Sequence, residues 1–227
     1  MTQLPLDLPH LPALEREDFL VAACNRAAVA FLDRWPDWPA PALAIYGPAG
    51  CGKSHLARVW RARTGAAAIE PSALRDLDPL ALLADTASVA LDFAEQDVPA
   101  LPEEEPLLHL YNLLAGRGGH LLICARAAPA RWGIKLADLR SRLLAAPAVP
   151  VTAPDDDLLG ALLVKLFTDR QMLVGTEVLT YLLARMERSF AGARGLVEAL
   201  DRASLVRQSG VTMALARAVL ERQAERT

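Results

Sequence analysis

The sequence predicts an α/β domain, a mainly parallel sheet covered by helices, followed by an all-helical segment. Three observations carry that prediction. Short apolar runs alternate with helix-spaced stretches from Ala42 to Thr152. The octet GPAGCGKS at 47–54 sits between one such run and one such stretch. From Pro154 onward, helix-spaced stretches follow one another with no strand pattern between them.

Taken in order, residues 1–15 (MTQLPLDLPHLPALE) carry prolines at 5, 9 and 12, which discourage helix and sheet and predict an extended arm. DFLVAACNRAAVAFLDRW has helical spacing, with Leu20, Cys24, Ala27, Ala28 and Phe31 along one stripe, and PDWPAPA ends it. ALAIYG reads as a buried strand and KSHLARVWRAR as a helix. AAAIE is a short strand, SALRDLDPLALLA a helix, SVALDF a strand, PLLHLYNLLAGR a helix and HLLICA a strand. KLADLRSRLLA is helical and AVPVT is the last strand. PDDDLLGALLVKLFTDRQ then opens with acids, as a helix start favours, and three more helical stretches follow. The expected organisation is an arm at 1–15, an α/β domain at 16–153 and a helical domain at 154–227.

The chain of 227 residues is 53% hydrophobic, ample for a core. A net charge of -3 argues against a dedicated nucleic-acid binder, which carries a basic face. The three cysteines, Cys24, Cys51 and Cys124, lack metal-ligand spacing and suggest reduced thiols in the cytoplasm. Cys24 and Cys124 suit buried positions, and Cys51, within the glycine-rich loop, is expected to be open to oxidation. No apolar run reaches membrane-spanning length, and the first arginine is Arg16, so the start lacks a basic signal region. A soluble cytoplasmic protein is expected.

GPAGCGKS fits G-x-x-x-x-G-K-S/T in the strand-then-helix context that gives the pattern meaning. Its chemistry follows from its parts. The backbone N–H groups of Gly47, Pro48, Ala49, Gly50, Cys51 and Gly52, proline excepted, can turn inward around phosphates, and the helix that continues through His55 adds partial positive charge. Lys53, one of three lysines in the chain, would contact the β- and γ-phosphates, and the Ser54 hydroxyl would ligate Mg²⁺. Asp92 ends the third strand, where an aspartate commonly holds Mg²⁺ through water or the loop serine. Phe93 follows where a hydrolase wants a second acid, so intrinsic hydrolysis is expected to be slow or absent. Glu103–Glu105 read as a solvated charge run. The loop specifies a nucleotide, ADP or ATP, and is silent on reaction type.

LAIYGPAGCGKSHLARVW, SVALDF, LRSR and AGARGLVEALDRASLV, in this order, resemble the AAA+ module of the bacterial replication initiator DnaA, and more closely the short DnaA-related regulators of the Hda (HdaA) type. The resemblance spans essentially the whole chain. It implies an AAA+ P-loop NTPase fold with a small helical lid. It implies that Arg142 is an arginine finger reaching the γ-phosphate in a neighbouring subunit, and that Arg194 is the lid arginine near the chain's own nucleotide. Phe19, Leu20 and Val21 would pack around the adenine, and Asn25 matches an asparagine in the family's opening helix. QLPLDL near the N-terminus resembles the family's sliding-clamp motif, Q-x-x-L/M-x-L/F, with Gln3, Leu4, Leu6 and Leu8 as the contact residues. Partners implied are ATP-loaded DnaA and the DNA polymerase III sliding clamp. Sequence-specific DNA binding is not expected, since the lid helices run to Thr227, and oligomeric state stays open.

The chain departs from the family where ICARAAP ends the fourth strand, giving Cys124, Ala125 and Arg126 in place of a polar water-orienting residue. Each arginine also has a plain reading as a solvated charge on an amphipathic helix. Two other classes remain open at this point. An autonomous P-loop ATPase or small-molecule kinase would produce ADP by itself after Arg142→Ala. A helicase-loader-type AAA+ protein would bind DNA in a salt-sensitive way without a clamp.

Overall fold

The computed structural model describes residues 21–93, 104–207 and 210–224. Their order is α1 (Arg26–Asp33), β1 (Ala42–Tyr46), α2 (Lys53–Thr64), β2 (Ala67–Ile69), α3 (Pro79–Asp85), β3 (Ser88–Asp92), α4 (Glu104–Gly116), β4 (His120–Ala125), α5 (Ala137–Ala145) and β5 (Ala148–Pro150). Four helices follow: α6 (Asp156–Asp169), α7 (Thr176–Leu183), α8 (Phe190–Arg207) and α9 (Met213–Ala224).

The strands read as near-continuous apolar runs because both faces of the sheet are covered. All pairings are parallel, in the order β2-β3-β4-β1-β5. Side chains alternate between two cores, as the pleat requires. Leu121, Ile123 and Ala125 of β4 join Leu107, Leu110 and Leu143 from α4 and α5. Leu122 and Cys124 join Leu56 and Trp60 of α2 on the other side. Trp38, after α1, stacks on Trp60 with ring centroids 5.5 Å apart. The helices α6–α9 enclose a third core built on Leu159, Leu163, Leu182, Leu196, Leu200 and Leu215. No described helix is long and apolar enough to cross a membrane.

Two helices differ from their sequence pattern. The first begins at Arg26 and buries Ala28, Val29 and Leu32, while Ala27 of the expected stripe is exposed. Asn25, only 2% exposed, explains the late start: its Oδ1 accepts the Ala22 N–H at 2.9 Å, a local turn that competes with helix. The stretch 72–84 is two pieces, a 3₁₀ turn at Pro71–Leu74 and then α3. Pro79 is pre-set for a first helical position, and the Asp78 carboxylate caps the helix by accepting from Leu80 and Ala81 N–H. The charge run is also not simply solvated. Glu104 accepts the Leu136 N–H at 2.6 Å and the Lys135 N–H at 2.9 Å. Leu136 precedes α5, which has no side-chain cap of its own, so Glu104 satisfies donors that the helix start leaves over.

Asp78→Ala should lower the unfolding free energy by about 1 kcal/mol, read as a lower urea midpoint at an unchanged m-value.

Candidate phosphate-binding site

The loop 47–54 leaves the carboxyl end of β1, an internal strand between β4 and β5, at the sheet end where open α/β sheets place their ligands. Gly47 N–H donates to Ala125 O at 3.2 Å, tying the loop to the end of β4. Cys51 plugs the loop into the core from below and is 1% exposed. Gly52 has φ 100° and is the N-cap of α2, a conformation that favours glycine. It offers no side-chain cap, and the first turn of α2 holds no acid. The first N–H groups of a twelve-residue helix are therefore left to a ligand, with the positive end of the helix dipole behind them.

Lys53 is 2% exposed. Its Nζ donates to Gly47 O at 2.8 Å and Pro48 O at 2.7 Å, and lies 3.6 Å from Cys51 Sγ. These partners keep a buried ammonium beside the loop, where an anion would meet it. Ser54, in the first turn of α2, is exposed, and His55 is half-buried. This set fits a nucleotide phosphate chain: a glycine loop, an uncapped helix start and a cation held at its rim. The donor set fits Mg²⁺ as well, a cation that takes one or two protein ligands and keeps waters and phosphate oxygens for the rest. Ser54 and Asp92 are the residues that would hold it.

Asp92 and Phe93 part company at the end of β3. Phe93 joins Leu91 and Val89 in the core beneath α4 and α5, 6.5 Å from the Trp132 ring. By the strand's alternation Asp92 faces the α2 side, which carries the loop. Phe93 N–H donates to Cys124 O at 2.7 Å, so the ladder holds this split in place. At the end of β4, Cys124 and Ala125 are fully buried and offer no group to orient a water.

The helical segment reaches the loop directly. Phe190 N–H donates to Gly50 O at 3.0 Å, and the Phe190 ring lies 3.2 Å from where a Cβ on Gly52 would stand. A Cβ on Gly50, whose φ is 70°, would lie 2.5 Å from Ser189 Cβ. Ser189 caps α8 by accepting the Gly192 N–H at 2.8 Å. Arg194 is half-buried, four residues past Phe190 and so on the same helix face. It makes no hydrogen bond or ion pair among the described residues. It lies in the second turn of α8. Phe190 and Ser189 went unnoticed in the sequence. The one signal for them is a serine followed by an apolar residue directly before a helix, which marks a cap but not what it touches.

Arg142 stands apart, on α5. Its side chain is 37% exposed and its Nε donates to Asp138 Oδ1 at 3.0 Å. Its Cζ lies 5.6 Å from the centroid of the Tyr111 ring. Of the residues expected at the adenine, Val21 packs against the α2-side core, as Phe31 and Trp35 also do. Phe19 and Leu20 lie outside the described residues, as do Gln3, Leu4, Leu6 and Leu8.

No protein-family model matches the sequence, and no curated protein sequence matches it. Solved structures do match its fold. Domain III of the Thermotoga maritima replication initiation protein DnaA superimposes with a TM-score of 0.76 at 18% identity, over 89% of this chain and 93% of that one. AMPPCP-bound DnaA from Aquifex aeolicus gives 0.63 at 17% identity, over 80% and 63%. The Thermotoga maritima RuvB Holliday junction branch migration motor gives 0.63 at 15% identity, over 87% and 66%. The fold is that of an AAA+ P-loop NTPase: a parallel five-stranded sheet flanked by helices, followed by a helical part.

Burial raises the thiol pKa of all three cysteines. Asp155 adds to the rise at Cys24 and Asp92 at Cys124, and Lys53 draws Cys51 and Cys124 partly back. Cys51 is therefore a protonated core thiol, which corrects the expectation that it is open to oxidation. The unfolded chain releases thiol protons near pH ~8.5 while the folded chain keeps them. Stability is thus fully present below that pH and is lost as pH climbs above it. Urea midpoints should fall between pH 8 and pH 9.5, and fall less steeply in Cys124→Ala. A thiol reagent at pH 8 should label the native protein slowly and the urea-unfolded chain fast.

Proposed function

We propose that the protein binds an adenine nucleotide, ADP as its resting occupant, and uses the nucleotide-set module to present Arg142 to the phosphate site of an ATP-loaded DnaA-type initiator. The observation that carries this reading is the contrast between the two ends of the chemistry. The chain's own loop has an apolar core residue, Phe93, where a water-activating acid belongs, while a guanidinium with the chain position of an arginine finger stands at the surface of α5.

Nucleotide binding is supported by the loop geometry and by the likeness in fold to DnaA, whose Aquifex structure carries AMPPCP. When bound, the nucleotide with Mg²⁺ supplies the charge that orders the loop against the helical lid. Lys53 would then turn its ammonium from the Gly47 and Pro48 carbonyls toward phosphate oxygens. Arg194, on the Phe190 face of α8, would supply a second cation from the lid. Phe190 and Ser189 connect loop and lid, so the filled site sets the angle at which α5 meets a partner.

Arg142 acts on the partner's nucleotide. A planar, permanently charged fork stabilises charge developing on a transferring phosphoryl group, and a finger supplied in trans is worth ~10³–10⁵ in rate. Water-positioning groups and metal come from the partner. The N-terminal segment QLPLDL completes the proposal as a tether to the DNA-loaded sliding clamp, engaged in extended form through Gln3, Leu4, Leu6 and Leu8. Such a tether raises the local concentration of the two proteins without a new contact between them.

One assay tests the whole: hydrolysis by ATP-loaded DnaA, with this protein and DNA-loaded clamp each added or withheld. Lys53→Ala should abolish ADP binding measured by calorimetry, and unchanged affinity would contradict the loop assignment. Arg142→Ala should keep fold, ADP affinity and clamp binding and lose the stimulation of the partner. Stimulation that survives this substitution removes the finger from the account.

A further inference from the structure

Besides sharing a core, α4 meets α5 and the residues ahead of it through two side chains, Glu104 and Tyr111, seven residues apart and therefore on one face of α4. Near its start, Glu104 accepts the backbone N–H groups of Lys135 and Leu136, directly ahead of α5. Two turns later, Tyr111 lies under the Arg142 guanidinium with 5.6 Å between Cζ and the ring centroid. Tyr111 is itself 5% exposed and belongs to the sheet core with Leu107, Leu110 and Leu114. Its ring is a fixed surface, not a mobile neighbour. The Arg142 Nε is taken by Asp138 at 3.0 Å, while Nη1 and Nη2 have no hydrogen-bond partner among the described residues. The guanidinium is thus held by one edge and one face, with its outer fork free.

From this arrangement we propose that Tyr111 is a positioning residue for Arg142, a rigid aromatic platform that orients the free fork before a partner arrives. The inference rests on the finger reading of Arg142. An arginine on its flexible stem must lose rotamer freedom to meet a phosphoryl group, and a fixed ring beneath the guanidinium at cation–π distance removes part of that freedom in advance. Glu104 serves the same end one step back, fixing the start of the helix that carries the arginine.

The experiment is the stimulated hydrolysis assay with ATP-loaded DnaA and DNA-loaded clamp, run as a titration so that the maximal rate and the half-maximal concentration are read separately. Tyr111→Phe keeps the ring and should match the parent in both. Tyr111→Leu should lower the maximal rate roughly tenfold while the half-maximal concentration stays within about twofold, since orientation is lost and docking is not. Circular dichroism establishes that the variants fold. If the leucine variant does not, Tyr111→Met, close in volume and adaptable in shape, is measured in its place against the same expectation. An unchanged maximal rate in the ring-less variant overturns the inference, and so does a loss in Tyr111→Phe as large as in Tyr111→Leu. Arg142→Ala is the separating control. If it retains stimulation, the finger reading itself fails. If it is silent while the ring-less variant is fully active, only the platform fails.

Discussion

A buried ammonium that forms no ion pair among the described residues governs this structure. Lys53 is 2% exposed and, among the described residues, its hydrogen bonds go to two loop carbonyls and a thiol. Burying such a charge is costly unless its donors are met, and an ammonium has three. The loop satisfies them by curling its Gly47 and Pro48 carbonyls back over Nζ. That curl needs left-handed backbone at Gly50 and Gly52, and it exposes the uncapped start of α2. Lysine and helix end both bring positive potential to the loop, and none of the loop's own groups is an anion. The geometry favours an incoming polyanion over any internal partner.

From the same loop, the chain commits the lid. The Gly50 carbonyl is occupied by Phe190 N–H, and the Phe190 ring lies against Gly52. Anything that shifts the loop to admit phosphates must shift the start of α8, which runs through the whole lid core as Ala193, Leu196, Val197 and Leu200. Coupling of this kind needs no long pathway, only a shared backbone contact between a loop and a packed helix. Under the proposed function this contact would let a bound nucleotide act on structure rather than through turnover, with Phe93, a core residue, standing where a water-activating acid would be needed.

How much of this the sequence disclosed depends on the range of the interaction. The glycine-rich loop is local in sequence, with its strand, turn and helix contiguous, and Gly47–Ser54 could be placed by pattern alone. The strands were legible because both sheet faces are covered, so Val89–Leu91 and Leu121–Ala125 read as unbroken apolar runs. Helix starts were harder. Asn25 diverts a helix-spaced stretch through a side-chain hydrogen bond to Ala22, and Asp78 with Pro79 restarts one that looks continuous. Glu104 looked like one of three solvated acids because its partners, Lys135 and Leu136, are some thirty residues away. Tyr111 and Phe190 were illegible for the same reason. An aromatic residue in an apolar stretch reads as core, and only tertiary structure shows a guanidinium above one ring and a phosphate loop beside the other.

The resting contacts of Arg142 have a magnitude compatible with its proposed role as a finger that leaves them. An exposed i,i+4 ion pair contributes about 0.3–0.5 kcal/mol, and a cation over an aromatic face at the surface about 0.5–1 kcal/mol. Together they narrow the rotamers of one side chain without trapping it. A finger worth ~10³–10⁵ in rate corresponds to roughly 4–7 kcal/mol in the transition state. In the proposed function, a transition state at the partner's phosphoryl group would therefore outweigh the Asp138 carboxylate several times over. A deeply buried arginine–carboxylate pair would reverse that balance, because removing one partner strands a desolvated charge. A pair that is 37% and 52% exposed leaves Asp138 solvated when Arg142 departs, so the step costs little on the side it vacates.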